Sequence, residues 1–472
     1  MSNETAGEHY TPREVIRLVA DLLVRGEAAR ELTEKEMPVR TIYDPAAGTG
    51  GMLMVTMDRI KDLQPSAIVE VYGQELNPET WAIAQSDLMM QNIAPERMRQ
   101  GNTLTADAFP TEKFDFILAN PPYGVDWKTY AQPITDEAEK LGFSGRFGAG
   151  LPRVSDGSLL FLQHMLSHMK SVTEANPAGS RVGIALSGSP LFSGQAGSGE
   201  REIRRWILEN DWLEGIVALP DQMFYNTAIS TYVWVLSNAK PSEQRGLVKL
   251  IDAREMGTKM RRSLGDKRKE LTDDTIDEIV RLFGRALDEF ADDARVKVLP
   301  REAFGFQRVT VERPAHRRWE VTREAVAEPP FDTLTHLTGR RYDTEKALRA
   351  DAEGLTTAER KKFVAACTVT DPEAPVLLKK GKPEPDADLR DQENVPLSAG
   401  WMTPASRRFS TRPRPTSSRR SGRTCPTRGL TIQRPNSDSR SPSRASSTCT
   451  CRLGVLSTEV RCWGWTRGKA SG

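Results

Sequence analysis

Cysteine is scarce in these 472 residues. There are five, and four of them (Cys425, Cys449, Cys451 and Cys462) lie near the C-terminal end, leaving Cys367 alone in the body of the chain. A single cysteine excludes a disulfide framework there and suits a reducing compartment, so a cytoplasmic protein is expected. No uninterrupted apolar run approaches membrane-spanning length, and the polar N-terminus lacks the apolar stretch of a signal peptide. No membrane partner is therefore expected. The glycine-rich segment at 48–51 is not followed by Lys-Ser or Lys-Thr, which excludes a Walker loop, and it lacks the third glycine of the dinucleotide fingerprint. Histidine is rare too. His164 and His168 share a helix face, but with no third ligand in view no metal site is expected.

Acidic residues are almost missing from one region. From Trp401 onward 15 Lys and Arg stand against 2 Asp and Glu, a local +13 that leaves −11 for residues 1–400 of a chain whose total is +2. The body is acidic and the tail basic. The tail is rich in Arg, Ser, Thr and Pro and has no apolar periodicity, so it cannot bury enough surface to fold alone.

Against these absences stands one dense stretch, Phe114 to Gly124. Phe114, Phe116, Ile117, Leu118 and Ala119 read as a short buried strand, which Pro121 and Pro122 stop because proline has no N–H for the ladder. Residues that precede proline are held extended, so the Asn120 side chain and the Pro121 carbonyl should face one small volume beside the Tyr123 ring. Two acceptors and a ring suit a planar amino group: the acceptors take its hydrogens and the ring stacks on its π-face. Asn-Pro-Pro-Tyr alone is also compatible with a plain proline-stiffened turn, and context has to decide.

That context lies upstream. Thr41 to Tyr43 reads as a strand, Asp44 to Gly51 as a glycine loop, and Met52 to about Leu63 as a helix. Gly48, Gly50 and Gly51 allow a sharp turn and close approach of a ligand to free helix N–H groups. Asp44 adds a negative charge where a phosphate loop would avoid one, which favours an ammonium or sulfonium over pyrophosphate. A second strand, Ile68 to Tyr72, leads to Glu75, placed as is the acid that binds ribose hydroxyls in doubly wound sheets. Asn102 lies shortly before the Asn-Pro-Pro-Tyr strand, placed to bond an adenine edge. Thr11 can cap, and Pro12 can begin, a helix over Arg13 to Leu23. Repeated strand–helix alternation predicts a parallel α/β sheet.

These residues carry a family resemblance. Asp44-Pro-Ala-Ala-Gly-Thr-Gly-Gly51, Glu75 and Asn120-Pro-Pro-Tyr123, in that order, resemble the γ-ordered amino-methyltransferases that use S-adenosylmethionine. Gly7-Glu8-His9-Tyr10-Thr11-Pro12, the segment from Asp156, Ile216–Pro220, Ile229–Leu236 and Phe304–Pro314 look more narrowly like the modification subunit of type I restriction-modification systems. The resemblance implies a Rossmann-like S-adenosylmethionine-dependent methyltransferase sheet. It also implies methylation of adenine N6 in double-stranded DNA, in a complex with a specificity subunit and a restriction subunit. Carried over, the cofactor residues are Gly7, Glu8, His9, Tyr10, Thr11, Pro12, Gly48, Thr49, Gly50, Gly51 and Glu75, with Asp44 and Asn102; the catalytic loop is Asn120, Pro121, Pro122 and Tyr123. No nucleophilic cysteine is needed, in keeping with the lack of the Pro-Cys pair that a cytosine-C5 enzyme requires. An amino-methyltransferase acting on protein glutamine or RNA guanine would use the same loop.

Three regions are expected: a methyltransferase domain over 1–240, a peripheral and mostly helical extension over 241–398, and a disordered tail over 399–472. Phe224 and Tyr225 could flank an extruded base or simply pack the core. Lys259, Arg261, Arg262, Lys267, Arg268 and Lys269 form a basic cluster that suits phosphates or an ordinary solvated face. The tail reads as a nucleic-acid-binding arm or, better, as the product of a reading-frame shift near Asn394–Leu397. The family's helical domain ahead of the Tyr-Thr-Pro segment is not seen before Gly7. Both departures fall where DNA or partner subunits would be engaged, so a chain that binds cofactor and transfers nothing is a further alternative.

Overall fold

The computed structural model describes residues 11–195, 197–225, 227, 229–284, 293–311, 314–371, 373–379, 382–386 and 391–396. The expected contacts at Gly7, Glu8, His9 and Tyr10, and the tail over 399–472, lie outside the described residues.

The elements follow one another as helix α1 (Arg13–Leu23), α2 (Glu27–Glu34), strand β1 (Val39–Asp44), α3 (Gly51–Leu63), β2 (Ile68–Glu75), α4 (Pro78–Met90), β3 (Met98–Gln100) and β4 (Phe116–Ala119). Then come α5 (Ala131–Leu141), α6 (Ser158–Ser167), β5 (Arg181–Ser187), α7 (Ser189–Phe192), α8 (Gly199–Glu209), β6 (Leu213–Ala218), β7 (Thr231–Ser237) and β8 (Leu247–Asp252). β9 (Thr258–Leu264), β10 (Lys267–Glu270), α9 (Asp273–Gly284) and β11 (Val296–Pro300) complete the first compact unit, which reaches Gln307.

Nine strands form one sheet in the order β11-β8-β6-β7-β5-β4-β1-β2-β3. β3, β2, β1, β4 and β5 run parallel. β7 is inserted antiparallel between β5 and β6, so the loop that leads into it returns to the carboxyl end of the parallel strands. From β1 the order runs outward both ways, to β2 and to β4, which makes the space beyond β1 and β4 the switch point where such sheets bind ligands.

β4, β5, β6 and β7 are buried at every position, as strands covered on both faces are, and the charges within β5 and β6, Arg181 and Glu214, pair with each other. Strand alternation divides the core into two layers. Phe116 and Leu118 of β4 join Val15, Val19 and Leu22 of α1, Leu53 of α3 and Ile276 of α9. Ile117 and Ala119 join Leu159 and Leu162 of α6 and Ile203 of α8 on the other side. The start of α1 departs from expectation: its N-cap is Pro12, with no side-chain cap, and the Pro12 carbonyl accepts from Val15 and Ile16 N–H, each at 3.0 Å. Thr11 does not cap because its hydroxyl is bonded elsewhere.

Beyond residue 240 the chain is less helical than its composition suggests. β8 pairs with β6 and β11 with β8, so the sheet continues well past the expected boundary. The second unit, from Arg308 to Val395, has its own core of Trp319, Leu334, Leu348, Phe363 and Cys367. Its antiparallel sheet places Arg317–Glu320 between Arg341–Tyr342 and Thr368–Thr370, and its helix Thr357–Ala366 starts on a capping box of Thr356 and Glu359. No helix among the described residues is long and apolar enough to cross a membrane.

Candidate active site

β1 delivers Asp44 to the switch point, and the chain then needs a tight turn into α3. Gly50 supplies it with φ 81°, a left-handed conformation that other residues adopt only under strain, and its N–H closes the turn on the Ala47 carbonyl at 2.8 Å. Gly73 of β2 makes room for that loop: a Cβ there would lie 2.5 Å from the Met98 sulfur and 3.1 Å from the Ala47 methyl. Glu75 fastens the loop from the neighbouring strand. Its Oε2 accepts from Gly48 N–H and its Oε1 from Asn77 N–H, both at 2.8 Å. Asn77 in turn caps α4 through Glu79 and Thr80 N–H.

Asp44 is only 1% exposed. Its Oδ1 accepts from Ala46 N–H at 2.9 Å, while Oδ2 is buried with no hydrogen-bond partner. Burial, with a smaller push from Glu75, raises its pKa to about 8. A buried carboxyl with one empty acceptor favours a ligand that brings a donor or positive charge.

β4 delivers Asn120 next to it. The Asn120 amide donates to the Thr11 hydroxyl at 2.9 Å, and its carbonyl accepts from the Tyr123 hydroxyl at 2.6 Å. Thr11 thus ties the segment ahead of α1 to the loop after β4. Tyr123 is buried, its ring edge-on to Phe224 at 6.2 Å, and burial drives its hydroxyl pKa well up so that it stays a donor.

A cleft of about 630 Å³ opens over these groups. Of the expected set, Thr11, Asp44, Gly48, Thr49, Gly51 and Asn120 line it. Pro12, Gly50, Glu75, Pro121, Pro122 and Tyr123 are not on its lining. Asn102 is also off the lining: its side-chain oxygen accepts from Leu104 N–H at 2.9 Å and shapes the turn after β3. The aromatic ring on the cleft is Tyr225, not Tyr123; Phe224 is core. Arg13, Ile16, Met52 and Asp58 line the cleft as well and were not expected. Arg13 and Met52 directly follow motif residues, which is the one local signal they carry. Asp58, well along α3, carries none.

A third ligand does join the two histidines. Asp107, His164 and His168 bring ligand-type atoms within 4.8 Å of one another. Each ring nitrogen is already engaged, however. His164 Nε2 lies 2.8 Å from the Tyr43 hydroxyl and its Nδ1 3.2 Å from the Arg146 guanidinium. His168 Nδ1 lies 2.8 Å from the Glu112 carbonyl and its Nε2 3.0 Å from Asp107. Burial pushes the His164 pKa well below the ordinary imidazole range. Burial is the largest influence on Asp107 and works the other way, but the bond from His168, the neighbouring imidazoles and the Phe109 N–H together outweigh it and hold the carboxyl low. With its lone pairs spent, the cluster is a hydrogen-bonded polar core.

Residues 1–304 match the family described as N-6 DNA Methylase. The HindI methylase subunit of a type I restriction enzyme from Haemophilus influenzae is 30% identical over 263 residues, 55% of this chain and 52% of that one. The MjaIX methylase subunit from Methanocaldococcus jannaschii is 26% identical over 304 residues, 63% of this chain and 48% of that one. The chain thus spans about half the length of the curated relatives it matches. Among solved structures, the type I restriction-modification methyltransferase subunit from Streptococcus thermophilus superposes with a TM-score of 0.50 at 25% identity, over 64% of this chain and 57% of that one.

Proposed function

Because the chain belongs to the N-6 DNA methylase family, we propose that it transfers the methyl group of S-adenosylmethionine to adenine N6 in double-stranded DNA. It would act in the cytoplasm as the methyltransferase subunit of a type I restriction-modification assembly, with a specificity subunit that reads the sequence and a restriction subunit. The observation that carries this reading is the meeting of the unpartnered Asp44 oxygen and Asn120 on one cleft.

The residues fit the cofactor. A phosphate at the end of β1 would face a carboxyl group, whereas a ligand with a cationic centre gives Asp44 Oδ2 the partner it lacks. Thr11, Gly48, Thr49 and Gly51, which line the cleft, would bound it, with Gly50 turning the loop and Glu75 fastening it. When bound, S-adenosylmethionine supplies a methyl group already activated by its sulfonium.

The chain's own work is then alignment. The amino nitrogen of adenine is a poor nucleophile, since its lone pair is delocalised into the ring. Asn120 and the Pro121 carbonyl accept its two hydrogens, raising electron density on nitrogen and fixing its approach. Pro122 holds the loop shape. The Tyr123 hydroxyl leaves Asn120 to make way, and the Tyr225 ring on the cleft offers a face to the extruded base. The amino group that takes the methyl from the sulfonium would shed one proton to solvent.

The test is methyl incorporation from labelled cofactor into duplex DNA, with RNA and protein as parallel substrates, in wild type and Asn120→Ala. Duplex DNA should be the substrate, and Asn120→Ala should cut transfer by about 100-fold or more while calorimetry shows unchanged cofactor binding. Incorporation into RNA or protein alone, or equal loss of both activities in the variant, overturns the reading.

A further inference from the structure

We propose that the hairpin of β9 and β10 is a phosphate grip that holds duplex DNA at the rim of the cleft, an inference that rests on the DNA methylation proposed above. The hairpin pairs with no other strand of the described residues, yet its base is firmly fixed. Lys267, buried on β10, pairs with Glu14 of α1 and sits over the Tyr225 ring at 5.7 Å from its centroid. Asp266 N–H donates to the Tyr225 carbonyl at 2.9 Å, and Arg268 N–H to the Gln222 carbonyl, also at 2.9 Å. Gly265 turns the hairpin at φ 62°, so close to Tyr225 that a Cβ would lie 2.5 Å from its carbonyl oxygen. Tyr225 lines the cleft. The hairpin is therefore anchored to a residue of the site itself.

Its outer surface is built differently. Lys259, Arg261, Arg262 and Arg268 are exposed, and none has an acidic partner among the described residues. Some exposed cations elsewhere in this unit do, as Lys140 pairs with Asp136 and Arg153 with Asp156, and others such as Lys61, Arg99 and Lys297 do not, but the hairpin gathers four unpaired ones on one short element. Alternation puts Lys259 and Arg261 on one face of β9, and Lys259 to Arg262 spans about 10 Å along the strand. Such a row suits the closely repeated charges of a duplex backbone better than a single small anion. Placement matters because residues 1–400 carry a net −11. A body of that charge repels DNA overall, so attraction has to come from a local group of uncompensated cations.

The test compares three forms of the full chain: wild type, Lys259→Gln/Arg261→Gln/Arg262→Gln/Arg268→Gln, and a control with Lys61, Arg99, Arg245 and Lys297 changed to Gln, which removes equal charge from exposed positions of the same unit that do not line the cleft. Duplex affinity is measured over a salt series. The hairpin variant should lower the slope of log K against log salt by about 3 to 4 and weaken binding about tenfold or more, with cofactor affinity and melting temperature unchanged. The control should change the slope by less than about 1. Returning lysine at the three arginine positions should restore most of the slope, since phosphate contact needs charge more than shape. An unchanged slope in the hairpin variant, or equal flattening in the control, overturns the grip. If wild type methylates DNA while the hairpin slope is unchanged, the grip alone fails. If wild type binds cofactor but neither binds nor methylates duplex DNA, the proposed function fails and the grip with it.

Discussion

Consecutive residues of β1 belong to two opposite kinds of buried polar cluster. Tyr43 reaches into a network in which its hydroxyl, both nitrogens of His164 and His168, and the Asp107 carboxylate all have partners. Asp44, one position on, keeps one carboxylate oxygen buried and empty. Burying a polar group with partners supports the fold, whereas burying one without costs free energy that something else must offset. On the proposed reading the contrast separates scaffold from site: the satisfied cluster stiffens the sheet, and the unsatisfied group would be held ready for a ligand.

The comparison breaks first, and by the largest effect, at Asp107. Asp107→Ala strips His168 of its carboxylate and should lower the unfolding free energy by about 3 kcal/mol in a denaturant titration, leaving the cofactor affinity of the folded protein unchanged. A variant that unfolds like wild type but loses cofactor would reverse the two assignments. At Asp44 the opposite is expected. Asp44→Asn removes a buried ionisable carboxyl without breaking a pair, so denaturant stability should hold or rise, while calorimetry should show cofactor affinity falling about tenfold or more, equivalent to about 1.4 kcal/mol.

The proton on Asp44 gives a further test, in pH. Asp44 titrates at about 8 in the folded chain against an ordinary 3.8, so between those values the folded state keeps a proton that the unfolded state has released. Its contribution to stability is therefore full below about pH 4 and declines as pH rises to about 8, and Asp44→Asn should flatten that part of the profile. A cationic ligand at Asp44 should also expel this proton. Cofactor titrations at pH 7 in two buffers of different ionisation enthalpy should show about one proton released by wild type and none by Asp44→Asn.

Much of this was legible in the sequence, because it is written locally. The glycine loop, Glu75 at the end of β2 and the proline-stopped strand ahead of Asn120 each occupy a few adjacent residues whose backbone chemistry dictates the turn. What escaped is carried by long-range pairing. Asp107 meets His168 across 61 positions, and Thr11 meets Asn120 across 109; no spacing announces either bond. Tyr123 and Tyr225 have similar prospects in sequence, and only the packing of Phe224 against Tyr123 turns one ring inward and leaves the other on the cleft. β8 was hidden for a different reason. Lys249 and Asp252 interrupt its apolar pattern, but Lys249 is buried and donates to the Phe283 carbonyl at 2.9 Å, so a charged residue sits inside the sheet.

If Asn120 receives the amino group as proposed, its two bonds make it a filter with a threshold. Its carbonyl already holds the Tyr123 hydroxyl and its amide already holds Thr11. An amino group arriving at that carbonyl exchanges one hydrogen bond for another, and such an exchange is worth on the order of 1 kcal/mol or less. A visitor that offers only a donor gains almost nothing and leaves. One that also fills the cleft and stacks on a ring can displace Tyr123 and stay, so selectivity at this position comes from what the chain itself must give up.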